Sequence, residues 1–270
     1  MSDAPPIVLS IAGFDPSSGA GITADIKTIA ALGCYGVSAI TAHTIQSTAG
    51  VRRVIPVEPE LLTDSLEELT GDVKVSAVHI GMLGTGSLVS IVARFLRRSE
   101  LPNVVLDPIL VSSSGSRLLD QPGVELLVRE LVPLADVITP NIDEAAALTR
   151  LEVKNPQQMA IAAERLHEMG VEAVVITGGH LDPAIDILSV KGEAVQKFHG
   201  EHLHSTNTHG TGCAFSTALA CYLALREELP KAVASAKAYV TEAIRNSYSI
   251  GKGPGPVNHM YALPEFRGKK

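Results

Sequence analysis

The densest chemistry in the 270-residue sequence lies in Asn207-Thr208-His209-Gly210-Thr211-Gly212-Cys213-Ala214-Phe215-Ser216. A Gly-Thr-Gly turn running into small residues (Ala214, Ser216, Ala218, Ala220) predicts a helix start whose N–H groups point outward as an anion hole. Glycine lets an oxyanion come close to the backbone, and the helix dipole adds partial positive charge. Cys213 falls in the first turn. There the same field is expected to lower its thiol pKa and fit it to take a proton from an attacking alcohol. Taken alone, the motif also reads as a structural Gly-rich turn around an inert buried cysteine.

A second loop, Gly13-Phe14-Asp15-Pro16-Ser17-Ser18-Gly19-Ala20-Gly21, follows the first strand candidate. It lacks the G-x-G-x-x-G spacing, and no Gly-Lys-Ser/Thr follows, so it is neither a dinucleotide fingerprint nor a P-loop. A flexible, polar rim for a small ligand is expected. Asp25 lies one turn into the next helix, bordering its apolar face or complementing its dipole. Gln46 carries an amide whose donor and acceptor match the amine-plus-ring-nitrogen edge of an aminopyrimidine; it also reads as an ordinary loop glutamine. Asp107 and Glu144 follow neighbouring strands and suit a hydrated Mg²⁺ bridging phosphates. A helix cap at Asn141 with Glu144 in the first turn is the local alternative. The run His199, His202, His204, His209 has no zinc spacing and no adjacent Cys pair. It reads as a polar hairpin edge, with His209 supporting the anion-hole loop.

These residues need elements to position them. Apolar runs at Ile7–Ala12, Val37–Thr44, Ala77–Met82, Val104–Asp107, Val137–Thr139 and Ala173–Thr177 read as strands covered on both faces. Helical patterns separate them. Ile22, Ile26 and Ile29 share one face closed by Gly33, and Asn155-Pro156 opens another helix ended by Gly170. The alternation predicts an α/β sheet with right-handed crossovers. Asp186–His204 reads as an edge hairpin, followed by helices over Gly212–Leu225 and Pro230–Ser249. Ligands in such sheets bind beyond the strands' C-terminal ends. That selects Gly13–Gly21, Thr44–Gly50, Gly81–Gly86, Asp107–Gly115, Thr139–Glu144 and Gly178–His180. No linker divides the chain, so residues 1–270 are read as one domain.

Composition narrows the classes. With 22 Lys+Arg against 29 Asp+Glu and no basic block, nucleic acid is not expected as a partner. Three cysteines without scaffold spacing point to the cytoplasm. Ile7–Ala12 is too short for an export signal. The uncharged stretch Thr28–Val51 has the length of a membrane span, but Gly33, Gly36, His43 and Gln46 make it a helix end, a turn and a buried strand. No membrane partner is expected.

The chain resembles the hydroxymethylpyrimidine/phosphomethylpyrimidine kinases of thiamine biosynthesis, within the ribokinase-like superfamily. The resemblance rests on Ile11-Ala12-Gly13-x-Asp15-Pro16-Ser17-x-Gly19-Ala20-Gly21-Ile22, Ala24-Asp25-Ile26-Lys27-Thr28, Gly81-Met82-Leu83, Asp107-Pro108 and Thr139-Pro140-Asn141-x-x-Glu144. It continues through Gly178-Gly179-His180, Asn207–Cys213 and Gly251–His259. It implies a three-layer α/β/α fold with a central, mostly parallel sheet and a small edge hairpin, commonly dimeric. It implies two ATP-dependent phosphorylations, of 4-amino-5-hydroxymethyl-2-methylpyrimidine and then of its monophosphate. By position, Gly13, Asp25, Gln46 and Met82 would line the pyrimidine pocket. Gly210, Thr211 and Gly212 would hold the transferring phosphoryl, with Cys213 at the base position. Asn141, Thr177, Gly179 and Thr211 would border ATP, and Asp107 and Glu144 would face Mg²⁺.

The sequence departs from the family at two basic positions. Ser113 and Thr177 stand where a lysine is usual, and Ser116 where an Asp is usual. Lys27, Arg117 and Lys252 are candidate replacements. The alternatives are a pyridoxal kinase, a pyrimidine-binding protein without turnover and a nucleotide-dependent oxidoreductase.

Overall fold

The computed structural model describes residues 4–112, 114–179, 181, 183–201, 203 and 205–263. The element order is β1 (Ile7–Phe14), α1 (Gly21–Ala31), β2 (Tyr35–Ser47), β3 (Gly50–Pro56), α2 (Pro59–Asp72), β4 (Val75–Ile80), α3 (Gly86–Arg98) and β5 (Val104–Leu106). It continues with α4 (Gln121–Leu126), β6 (Val137–Ile138), α5 (Ile142–Thr149), α6 (Pro156–Glu168), β7 (Ala173–Ile176), β8 (Ile185–Val190), β9 (Gln196–His199), α7 (Thr211–Ala224) and α8 (Leu229–Arg245). The strands form a sheet in the order β3-β2-β1-β4-β5-β6-β7-β8-β9. Pairing is parallel from β2 to β7. It is antiparallel at β2–β3 on one edge and at β7–β8–β9 on the other.

Successive side chains of a strand face opposite sides, and here both sides are covered. Leu9, Ile11, Val78, Ile80, Leu106, Ile138, Val174 and Ile176 pack with Leu62 and Leu66 of α2, Leu88 and Val92 of α3 and Leu166 of α6. Val8, Ala77, Val105, Val137, Ala173 and Val175 pack with Ile29 of α1, Ala218 and Leu219 of α7 and Val233 and Tyr239 of α8. This is the expected three-layer arrangement. The caps read from sequence also form. Asn155 accepts from the Gln158 N–H at the start of α6, and Gly33 and Gly170 follow α1 and α6 with φ +78° and +110°.

The structure corrects the reading of residues 44–56. Thr44–Gly50 is not a loop: β2 runs on to Ser47 and turns through Thr48-Ala49 into β3. This ribbon leaves Ile45 and Ile55 exposed, so its sequence shows no clean apolar/polar alternation, and its turn lacks the Asn-Gly signal. The β8–β9 hairpin forms inside the expected stretch, while His202 and His204 lie outside the described residues. Among the described residues no helix is long and apolar enough to cross a membrane, and the uncharged Thr28–Val51 stretch is divided between α1, β2 and the turn into β3.

Candidate active site

Helix α7 opens where the C-terminal ends of the central strands converge. Gly210 precedes it with φ +83°, and a Cβ there would lie 1.8 Å from the Gly19 carbonyl oxygen. Only glycine can hold the 207–212 turn this close to the 13–21 loop. The Ala214 N–H donates to the Gly210 carbonyl at 2.8 Å, starting the helical ladder. The Thr211 N–H and hydroxyl both donate to the Thr208 carbonyl, at 3.2 and 2.7 Å. As first-turn groups, the Gly212 and Cys213 N–H have no intrahelical acceptor, and Gly212 is exposed. These two backbone groups are the open donors of the turn, while Thr211 bonds back into it.

The 13–21 loop is fixed rather than a flexible rim. Asp15 accepts from the Ser17 N–H at 2.8 Å, the Ser17 hydroxyl at 2.7 Å, and the Gly19 and Ala20 N–H groups at 3.2 and 3.0 Å. His209 Nε2 lies 3.0 Å from Asp15 Oδ2 and 3.4 Å from Gln46 Nε2. Burial pushes the Asp15 pKa up, but the hydrogen bonds from His209 and Ser17 outweigh it and hold the carboxyl below its ordinary range. Gln46 sits at the end of β2, with Thr44 donating to its Oε1 at 3.1 Å. Gly13 and Met82 are neighbours, since a Cβ on Gly13 would lie 2.9 Å from Met82 Sδ. Thr41 holds the Met82 carbonyl at 2.6 Å. Gly13, Gln46 and Met82 thus lie on adjoining strand ends. Lys27, a candidate replacement cation, donates instead to the Ser18 carbonyl at 2.8 Å.

Asp25 lies beneath this surface. It is fully buried, accepting from Ser10 Oγ at 2.7 Å and Thr217 Oγ1 at 2.9 Å, with His79 Nδ1 at 3.3 Å. His79, also fully buried, reaches Ser216 Oγ at 2.9 Å through Nε2. Ser216 Oγ in turn donates to Asp107 Oδ2 at 3.0 Å. A hydrogen-bonded line therefore runs from α1 through β4 and α7 to the residue after β5. Burial opposes a charge on His79, but Asp25, by charge and hydrogen bond, and Asp107 outweigh it, and its pKa lies above the usual histidine value.

Asp107 and Glu144 are both held above the ordinary carboxylate range, and the Asp107 charge contributes to the shift of Glu144. Burial, with the nearby Asp25 charge and against His79 and Ser216, takes Asp107 up to about 6. Burial, the Asp107 charge and Asp143 raise Glu144 to about 8, against backbone hydrogen bonds from Asn141 and Leu110. Asn141 and Glu144 form a capping box on α5: the Glu144 N–H donates to Asn141 Oδ1, and the Asn141 N–H to Glu144 Oε2, both at 2.9 Å. The local cap and a cation-facing carboxylate are compatible, because Glu144 keeps a second oxygen. Two buried hard-oxygen groups that repel one another fit a divalent cation that takes its other ligands from phosphates and water. Among the described residues no group of three or more His, Cys, Asp or Glu could hold a metal ion.

The Cys213 thiol pKa shifts opposite to the expected lowering. Its thiol is buried, and the Asp107, Asp25 and Glu144 charges join burial in pushing its pKa well above the ordinary value, opposed by the Gly21 N–H. Burial first, and then charges on neighbouring elements, push against the lowering that the helix start in the local sequence suggested.

At the far end, Thr177 follows β7 beside Asn141, and its N–H donates to the Pro140 carbonyl at 3.0 Å. Gly179 is exposed next to Gly178, whose N–H donates to Asp186 Oδ1 at 2.9 Å. His180 and Ser113 lie outside the described residues. Sequence reasoning missed His79, although an imidazole inside the apolar run Val75–Ile80 was its signal. It also read Ser216 only as a small helix residue.

A helix start with open backbone N–H groups, beside a carboxylate pair on a mostly parallel sheet flanked by helices, defines the fold class of the ribokinase-like small-molecule kinases. The profile of the phosphomethylpyrimidine kinase family matches residues 15–258, and the chain belongs to that family. It is 41% identical over 260 residues to the hydroxymethylpyrimidine/phosphomethylpyrimidine kinase of Salmonella typhimurium, covering 94% of this chain and 97% of that protein. It is 42% identical over 264 residues to the thiamine biosynthesis bifunctional protein of Geobacter sulfurreducens, covering 97% of this chain but only 54% of that protein, so it spans about half of it. The Bacillus subtilis pyridoxal kinase, solved as an ADP complex, superposes with TM-score 0.88 at 34% identity, covering 96% of this chain and 99% of that one. The Clostridium difficile phosphomethylpyrimidine kinase superposes with TM-score 0.79 at 38% identity, covering 88% and 99%.

Proposed function

We infer that the chain transfers the γ-phosphoryl group of ATP to the hydroxymethyl group of 4-amino-5-hydroxymethyl-2-methylpyrimidine, and a second phosphoryl to the resulting monophosphate. The observation that carries this is the open start of α7, locked to the β1 loop through Gly210 and Gly19 and linked through Ser216 to Asp107. Phosphoryl transfer through a loose transition state needs alignment and charge stabilisation more than covalent help. The Gly212 and Cys213 N–H groups receive the equatorial oxygens, and the α7 dipole adds to them. Gly13, Gln46 and Met82 hold the ring. Asp25 supports that wall from below, since both its oxygens are already engaged. Asn141, Thr177 and Gly179 lie along the nucleotide. Asp107 and Glu144 would hold Mg²⁺, which would supply positive charge against the phosphate oxygens. We further infer a cytoplasmic homodimer. The β2–β3 ribbon leaves Ile45 and Ile55 exposed on one face, and sedimentation equilibrium should return twice the chain mass.

Coupled ADP release with Mg-ATP tests the reading, using the pyrimidine alcohol, its monophosphate and pyridoxal in parallel. Turnover on both pyrimidines, with pyridoxal at least tenfold slower, is the expected result. Preference for pyridoxal would assign a pyridoxal kinase. Tight binding of the pyrimidine without turnover would assign a binding protein. A slow monophosphate step alone would show that the Ser113 and Thr177 positions matter.

A further inference from the structure

We propose that His79 is a positioning residue for phosphoryl transfer: through Ser216 it directs a hydrogen bond onto Asp107 and so fixes the carboxylate that faces the phosphates. The proposal rests on the assignment of Asp107 to that side of the site.

Thr217 Oγ1 gives its single proton to Asp25 Oδ1 at 2.9 Å, so toward His79 Nδ1, 3.3 Å away, it can only accept. Asp25 Oδ2, also 3.3 Å from Nδ1, accepts as well. Nδ1 therefore carries a hydrogen. On the other side Ser216 has one proton and several acceptors in reach: Asp107 Oδ2 at 3.0 Å, the Gly212 carbonyl at 3.1 Å and the Cys213 carbonyl at 3.2 Å. His79 Nε2 is closer still, at 2.9 Å. A ring protonated on Nδ1 alone would take the Ser216 proton at Nε2 and strip Asp107 of its donor. A ring protonated on both nitrogens donates to Ser216 and leaves that proton for Asp107.

The surroundings favour the second form. The ring is fully buried between Asp25 on α1 and Asp107 after β5, and a cation there is offset on both sides. Asp25 Oδ2 faces Nδ1 at 3.3 Å, and the Ser10 hydroxyl, donating to the same oxygen at 2.7 Å, anchors it. The alternation of β4 places His79 on the α1/α7 side, opposite Val78 and Ile80, so no local feature but the sheet's layering brings it to Ser216.

The test is a double-mutant cycle of His79→Gln and Ser216→Ala, with Asp107→Asn as the control. Three quantities are read: kcat, the KM for the pyrimidine, and the affinity for Mn²⁺ in the presence of ADP, by electron paramagnetic resonance. Each single variant should lose about tenfold in kcat and in Mn²⁺ affinity, with the pyrimidine KM unchanged within about twofold. The double variant should be no worse than the poorer single one, because both changes cut one line. Losses that multiply in the double variant overturn the relay. So does a raised pyrimidine KM with unchanged Mn²⁺ affinity, which would mark a packing role. If His79→Gln does not fold, Ser216→Ala decides alone, and unchanged Mn²⁺ affinity in it overturns the proposal. If Asp107→Asn keeps its Mn²⁺ affinity, the assignment of Asp107 falls and the relay with it. If that control collapses while the cycle is additive, the relay alone falls.

Discussion

His209 Nε2 and Asp15 Oδ2 are 3.0 Å apart across 194 residues of sequence, and this contact joins the loop after the first strand to the turn that opens α7. The same carboxylate gathers the N–H groups of Ser17, Gly19 and Ala20. Two glycine-rich loops that are separately pliable become one rigid edge of the site.

Asp15→Asn should therefore destabilise the protein by about 2 kcal/mol at pH 7, since charge-assisted hydrogen bonds are lost together. The folded pKa of Asp15 is lowered, so its contribution is full above the unfolded value near 3.8 and is lost as pH falls through the folded one. Denaturant melts of both proteins should differ at pH 7 and converge in strong acid. A gap that persists there would mean the carboxylate's charge is not its source.

Gly210→Ala should cost turnover far more than folding. The added Cβ would meet the Gly19 oxygen at 1.8 Å, and the positive φ disfavours any L side chain. The turn must shift, taking the Gly212 and Cys213 N–H groups with it. A kcat loss of about 10²-fold is expected, as when a donor of an anion hole is removed. Steady-state kinetics beside a thermal melt would show it; a fully active, folded variant would remove the hole from the reaction.

Glu144→Gln makes a pH prediction. The folded pKa of Glu144 is raised to about 8, so between the usual glutamate value of 4.5 and that value the folded state holds more protons than the unfolded state. The contribution of this residue to stability must then fall as pH rises through that window. Gln keeps the capping box without the charge. In the absence of nucleotide and divalent cation the variant should melt higher than the parent at pH 8, and the difference should close by pH 5. A constant difference would sink the argument.

Cys213→Ala should lower kcat by less than about tenfold. A thiol whose pKa is pushed up by burial and three carboxylates is neutral near pH 7 and cannot accept the alcohol's proton. Alanine keeps the backbone N–H that faces the phosphoryl group. A loss of 10² to 10⁴-fold, the range for a general base, would show that binding of Mg-ATP converts the thiol to thiolate.

Much of the frame was legible because it is locally determined. The apolar runs of β1, β4, β5, β6 and β7 mark strands covered on both faces, and the residues that follow them mark the ligand side of the sheet. Asn155-Pro156 and Asn141-x-x-Glu144 announce helix starts through hydrogen bonds spanning three residues. The β2–β3 ribbon was not legible, because the apolar Ile45 and Ile55 stand on its exposed face while Val51 and Val54 pack inward, which leaves no clean alternation in its sequence. The direction of the Cys213 shift was not legible for a related reason: a helix start is visible in its own segment, whereas the burial and the Asp107, Asp25 and Glu144 charges come from other elements.

The sequence by itself determined which segments become strands, which glycines can turn, and that one helix opens from a Gly-Thr-Gly turn, since φ, capping and periodicity act within a few residues. Tertiary structure alone decided that Asp25, His79, Ser216 and Asp107 form one buried line, and that the Asp107 charge raises the pKa of Glu144. Proton affinities depend on distance and burial, and those distances exist only after four separate elements have packed together.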